Sequence, residues 1–345
     1  MKKIALEEHV LVPGAEEIVP EHQTHPEFKH NMQALLDITG DRLRAMDEGE
    51  IQISVLSATA PGLQGLSEAG AKDLGNISRR WNDYLAEAVA KHQDRLKVFA
   101  ALPMCDPELA AQELSRTVRG LGFVGALLNG YDNSGNAPAK YYDSPQYADF
   151  WKTAAALDVP VYVHPRSVPD DRTTTYSGYP ETRGSVWGFH VETAEHMLRL
   201  MMSGLFEKLP TLRIIIGHLG ELLPFWAWRI DHRIQREGWD KWAGEHGRPR
   251  RFTVTEYLRR NFFATTSGMF DTDALKHVVH VMGHDRVMYS VDYPYESTTE
   301  ASEWFDALDL KKEAKEAIAY ANAEKVLGLG KLRGAQSPNP VERRS

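Results

Sequence analysis

Five side chains in this sequence can support metal-assisted acid–base chemistry: Glu7, His9, His164, His218 and Asp292. Glu7 and His9 stand two apart, so on an extended segment they point to one face. With His164 and Asp292 they make a set of two carboxylates and two imidazoles. Such a set suits one divalent ion of borderline character, zinc, or a harder one such as manganese. A lone Glu-x-His, or a lone histidine at a strand end, is weak evidence, because either more often serves as a hydrogen-bonded barrel-end residue. Separate apolar runs that all end in Glu, His or Asp are stronger evidence. His218 could be a fifth ligand or a proton-handling group beside the ion. Glu221, one helical turn further on, could orient its ring and favours the second role.

These residues converge only if the runs before them are neighbouring strands. Residues 3–6, 160–163, 212–216 and 286–291 are apolar and rich in β-branched types, as suits strands covered on both faces. Further strands are expected at 51–56, 96–102, 123–128 and 262–265. Helical patterns separate nearly all of them, including one from Glu221 to about Arg236. Strict alternation predicts a parallel sheet, and eight units predict an α/β fold with a single (β/α)8 barrel over residues 1–327. A tail is expected over 328–345. Two doubly wound domains are the rival, but no linker-like break divides the chain. In a barrel, residues just past the C-terminal strand ends share one mouth.

Other candidates carry less chemistry. Residues 10–31 read as a long lid-like loop with solvated His22, His25 and His30. Arg229 could bind a substrate carboxylate or pair with Asp231 or Glu221. Phe189, Trp187, Tyr293 and Tyr295 could wall an aromatic pocket. Arg166 reads as structural. Glu192, His196 and Arg199 fall at helical spacing and read as a solvated or helix-packing face. A Gly-x-Ser-x-Gly elbow is missing, which argues against a serine hydrolase.

Composition narrows the class. The 345 residues are 42% hydrophobic and 26% charged, with a net charge of −8 and a single cysteine, Cys105. Net negative charge without a basic stripe argues against nucleic-acid or anionic-membrane partners. One cysteine excludes an internal disulfide and suits a reducing compartment. The apolar run after Met1 is cut short by Glu7 and Glu8, so no signal-peptide core forms and a cytoplasmic location is expected.

In combination, the segments Ala5-Leu-Glu-Glu-His9, Gly122-Phe-Val-Gly-Ala-Leu-Leu-Asn129, Val161-Tyr-Val-His-Pro165, Ile216-Gly-His-Leu-Gly-Glu221, Thr265-Thr-Ser-Gly268 and Ser290-Val-Asp-Tyr-Pro-Tyr-Glu296 resemble a known family. It is the amidohydrolase-related, non-oxidative hydroxybenzoate decarboxylases, and the likeness covers about residues 3–327. Amidohydrolases usually open with His-x-His, whereas Glu7-Glu8-His9 matches the decarboxylase form. The resemblance implies that Glu7, His9, His164 and Asp292 bind one zinc or manganese ion, and that His218 is an active-site acid or base. It implies decarboxylation of γ-resorcylate or a close o-hydroxybenzoate, with no organic cofactor and a homodimer or homotetramer. The helix run from Glu192 to Phe206 looks closest to the γ-resorcylate enzyme, while residues 286–295 look as much like the 5-carboxyvanillate enzyme. The chemistry fits: a metal can hold carboxylate and phenolate together, Asp292 can protonate the ring carbon, and His218 and Glu221 can tune it. The alternative within the superfamily is hydrolysis of an aromatic lactone or amide.

Overall fold

The computed structural model describes residues 1–12, 15, 26–68, 72–134 and 138–330. Eight strands follow one another: β1 (Lys3–Val10), β2 (Ile51–Ala58), β3 (Leu96–Val98), β4 (Ala126–Asn129), β5 (Val161–His164), β6 (Ile214–Ile216), β7 (Phe262–Thr265) and β8 (Val287–Met288). Each pairs in parallel with the next within the runs β1-β2-β3 and β4-β5-β6-β7-β8. Single parallel bridges, Ala100 to Ala126 and Glu8 to Tyr293, join the two runs at both edges and close the barrel. Ile4, Leu6, Ile53, Val55, Phe99, Leu127, Tyr162, Ile215, Phe263 and Met288 fill its interior. A second core, outside the strands, holds the helices against them through residues such as Leu56, Val98, Leu128, Val163 and Ile216.

β1 is longer than the sequence suggests, and Glu7 and His9 lie within it rather than after it. Ala5 opposes Ser54 and Glu8 opposes Leu56, three steps against two, so β1 carries one extra residue, a β-bulge. Ile4 and Leu6 both point into the barrel, and strict alternation would send Glu7 outward. The bulge resets the phase and turns Glu7 and His9 to the mouth. Its amides are not left bare: Leu6 N and Glu7 N donate to Ser290 Oγ at 3.0 and 2.7 Å. Ser290 Oγ in turn donates to Glu8 Oε1 at 3.1 Å.

A second irregularity follows β6. His218, Leu219, Gly220, Glu221 and Leu222 all have positive φ, between 48° and 93°, so the expected helix starts at Leu223 and not at Glu221. Left-handed backbone costs an L-residue roughly 1–2 kcal/mol. The surroundings hold it: Leu219 N donates to Thr265 O at 2.8 Å and Gly220 N to Gly217 O at 2.7 Å.

Other boundaries differ more simply. A helix over Pro26–Leu36 occupies the end of the expected 10–31 loop. His30 is exposed on it, and His22 and His25 lie outside the described residues. The last strand is two residues rather than six. Leu329 is buried with the barrel interior, and 331–345 lie outside the described residues. No helix among those described is long and apolar enough to cross a membrane.

Candidate metal and proton-transfer site

Glu7, His9, His164 and Asp292 each place one ligand atom within 4.8 Å of the others. His164 Nε2 is 3.1 Å from Glu7 Oε1, and His9 Nε2 is 3.1 Å from Asp292 Oδ1. Glu7 Oε1, His9 Nε2 and Asp292 Oδ1 are buried with no hydrogen-bond partner. Polar atoms orphaned in this way are costly, and two oxygens and two nitrogens facing one another suit a divalent cation. The residues present therefore fit one ion.

The cluster is braced from below. Glu7 keeps Oε1 for this set because Oε2 accepts from Tyr162 Oη, Ser267 Oγ and Thr265 Oγ1. A Cβ on Gly217 would stand 2.8 Å from Glu7 Oε2, so the chain passes there only as glycine. His9 is pinned by N–H donation to Tyr293 O at 2.7 Å, and its carbonyl accepts from Arg42 Nη2 at 2.5 Å.

Charge follows position. Burial pushes the Glu7 carboxyl up, but His218 and the His164 imidazole beside it hold it below its ordinary value. Burial holds the His9 imidazole down. Asp292 is also raised by burial, yet the imidazoles of His218 and His9 beside it keep it well below the usual carboxylate range. His218 runs the other way: burial lowers it, and Glu221 and Glu7 lift it well above an ordinary imidazole. Its Nδ1 is 2.7 Å from Glu221 Oε1, and its Nε2 faces Asp292 Oδ2 at 3.5 Å and Glu7 Oε1 at 3.8 Å. His218 thus stands beside the four-residue set, between Asp292 and Glu221.

The remaining candidates separate. Phe189 is half-buried in the first turn of the helix Gly188–Met202. The Tyr293 ring lies over the Arg42 guanidinium at 4.5 Å, whereas Tyr295 sets its ring 5.6 Å from His9. Arg229 is exposed on the helix Leu223–Glu237. Neither suggested partner holds it: Asp231 accepts from Val254 N and Thr255 N, and Glu221 bonds two histidines. Arg166 is buried against the Tyr131 ring. Glu192 and His196 are buried, so they pack rather than meet solvent, and only Arg199 is partly exposed, paired with Asp143.

Sequence reasoning missed His190 altogether. Its Nδ1 is 2.7 Å from Glu221 Oε2. The available signal was its place three residues past Trp187, at the start of a helix that follows the long loop after β5. It also missed Tyr162, which precedes His164 by two on β5 and so shares its inward face.

An amidohydrolase family model matches residues 20–329. The γ-resorcylate decarboxylase of Polaromonas is 43% identical over 336 residues, covering 95% of this chain and 99% of that one. A crystal structure of a Polaromonas dihydroxybenzoic acid decarboxylase, with bound manganese and the inhibitor 2-nitroresorcinol, superimposes with a TM-score of 0.89 at 40% identity, covering 97% of this chain and 99% of that chain. The 5-carboxyvanillate decarboxylase of Sphingomonas paucimobilis gives a TM-score of 0.84 at 29% identity, covering 95% and 99%. The chain belongs to the amidohydrolase family, among its decarboxylases, and is a carbon–carbon lyase.

Proposed function

We propose that this enzyme removes CO2 from γ-resorcylate (2,6-dihydroxybenzoate), without oxidation and reversibly. The observation that carries the reading is the buried Glu7–His9–His164–Asp292 set with His218 3.5 Å from Asp292. The 43% identity to a γ-resorcylate decarboxylase, against 29% to a 5-carboxyvanillate enzyme, supports the choice of ring. Manganese is the favoured ion, because a relative holds it and half of the donor set is carboxylate oxygen. Bound by Glu7, His9, His164 and Asp292, it would act as Lewis acid and template for the carboxylate and the adjacent phenol oxygen.

The chain's own groups handle the proton. Asp292 Oδ2 faces His218 Nε2 at 3.5 Å; His218, lifted well above an ordinary imidazole, would supply the proton that Asp292 Oδ2 passes to the ring carbon as CO2 departs, and solvent would return it to His218. Glu221 fixes the His218 ring through Nδ1. Phe189 is assigned to the wall against the aromatic ring. Arg229, exposed within one chain, can reach a substrate only at the edge of the mouth or across a subunit contact. We assign a homodimer or homotetramer, supported by exposed tryptophans on the helices at 223–245, and a cytoplasmic location, supported by the lone cysteine.

The test is a panel of hydroxybenzoates and aryl lactones offered to the manganese-loaded protein in D2O. Deuterium at the former carboxyl carbon, with γ-resorcylate the fastest substrate, is expected. Lactone hydrolysis without CO2 release would overturn the reading. Asp292→Asn should lower turnover by about 10³-fold or more while leaving the unfolding transition near that of the parent. Near-normal CO2 release from that variant would remove Asp292 from the chemistry.

A further inference from the structure

We propose that His190 is a positioning residue for the decarboxylation: it clamps the second oxygen of Glu221 and so locks the carboxylate that orients His218. The inference rests on the function proposed above, and its geometry stands independently of it. Glu221 is fully buried, and each of its oxygens meets one imidazole: Oε1 is 2.7 Å from His218 Nδ1, and Oε2 is 2.7 Å from His190 Nδ1. The two imidazoles lie edge to face with centroids 5.2 Å apart. A carboxylate held at one oxygen can rotate about its last bond; one held at both cannot, and the His218 ring it directs is fixed with it.

Hydrogen-bond arithmetic says more. His190 Nε2 is 2.9 Å from the Ser185 carbonyl oxygen, which only accepts. That nitrogen must carry a proton. Its Nδ1 faces Glu221 Oε2, which accepts when ionised. Burial raises the Glu221 carboxyl, but the charge on His218 and hydrogen bonds from both histidines outweigh it and hold it at about 2. Both ring nitrogens of His190 are therefore engaged, Nε2 by the loop carbonyl and Nδ1 by Glu221.

The same side chain ties the site to the loop over the mouth. Ser185 belongs to the segment after β5 that folds back on itself: Trp187 N and Phe189 N both donate to Gly184 O at 3.1 Å. Gly188 lets this fold close, because a Cβ there would stand 2.1 Å from Arg183 O. His190 thus joins Ser185 on the loop to Glu221 after β6, and the loop's position reaches His218 through one carboxylate.

Two measurements test this on the manganese-loaded full chain. In crystal structures of the parent and of His190→Ala, the Glu221 carboxylate and the His218 ring should keep one orientation in the parent and lose it, as alternate conformers or raised displacement parameters, in the variant. An unmoved Glu221 and His218 in the variant, or a second manganese bound per chain with His190 as its ligand, overturns the assignment whatever the substrate proves to be. Kinetically, His190→Ala should lower kcat about 10–100-fold with KM changed less than threefold, and His190→Asn, which keeps an N–H toward Glu221, should recover most of the loss. Parental kcat in His190→Ala, or an Asn variant as slow as Ala at equal folded fraction, overturns it. A parent protein inert toward every hydroxybenzoate would instead overturn the proposed function, with the two crystal structures still deciding whether His190 positions Glu221.

Discussion

Glu192 is a carboxyl group buried beside Tyr141, Arg166 and Arg172. Burial outweighs the neighbouring Tyr141 hydroxyl and both arginines and pushes it up to about 8. The consequence has a definite sign. The unfolded chain releases this proton near the ordinary value of 4.5, whereas the folded chain keeps it to about 8. Its contribution to stability is therefore complete below about 4.5 and is lost as the pH rises through 8. Glu192→Gln should remove that slope: urea unfolding at pH 9 should show the variant more stable than the parent by roughly 5 kcal/mol, with the two nearly equal at pH 5. An unchanged pH slope would show that Glu192 is ionised in the fold. Spacing alone left Glu192 as a solvated or packing position, because its burial is set by Tyr141 on a loop some fifty residues earlier. The metal-ligand candidates were legible for the opposite reason. Each is announced by the apolar run it follows or ends, and a barrel needs no further information to bring such positions together. His190 had no such run before it, so its pairing with Glu221 exists only in three dimensions.

At the scale of elements, the strand and helix order could be read from hydrophobic period, but the two features that aim the site could not. The β1 bulge and the left-handed turn at 218–222 break the local rules that sequence reading relies on. Glu221 was expected to reach His218 across one turn of an ordinary helix. It does reach it three residues on, but through positive φ at each position. Ser290 is the residue that makes the bulge affordable, since it accepts from Leu6 N and Glu7 N together. Ser290→Ala should orphan both buried amides at about 1–3 kcal/mol each and loosen Glu7. Thermal unfolding with and without manganese should then show a lower midpoint and a smaller stabilisation by the ion. A competition titration should show affinity reduced about 10–100-fold. Parental manganese affinity in this variant would mean that Glu7 keeps its place without the bulge's anchor.

For the whole molecule, alternation of eight strands with helices was sufficient to predict one closed barrel, and the closing bridges at Ala100–Ala126 and Glu8–Tyr293 show it. What alternation cannot reveal is which outer faces meet solvent. The helix Leu223–Glu237 exposes Phe225, Trp226 and Trp228, the last two at 58% and 72%, and Trp239 and Trp242 are also exposed on the helix that follows. Single exposed apolar residues need no explanation, but five large aromatics within 18 residues form the composition expected at the core of a subunit contact. The barrel does not need them, since the inward side of the same helix is supplied by Leu223 and Ala227. Substituting Trp226 and Trp228 together by Glu should therefore leave the fold and the manganese site intact while weakening self-association. Light scattering at micromolar concentration should give at least twice the 38.9 kDa chain mass for the parent and a mass shifted toward one chain for the double variant. A monomeric parent would remove the oligomer from the proposal, and an unshifted double variant would place the contact on another face. If the contact forms here, Arg229 lies within it, one residue past Trp228, and loss of turnover in the dissociated but metal-loaded variant would assign that arginine to a neighbouring subunit's mouth.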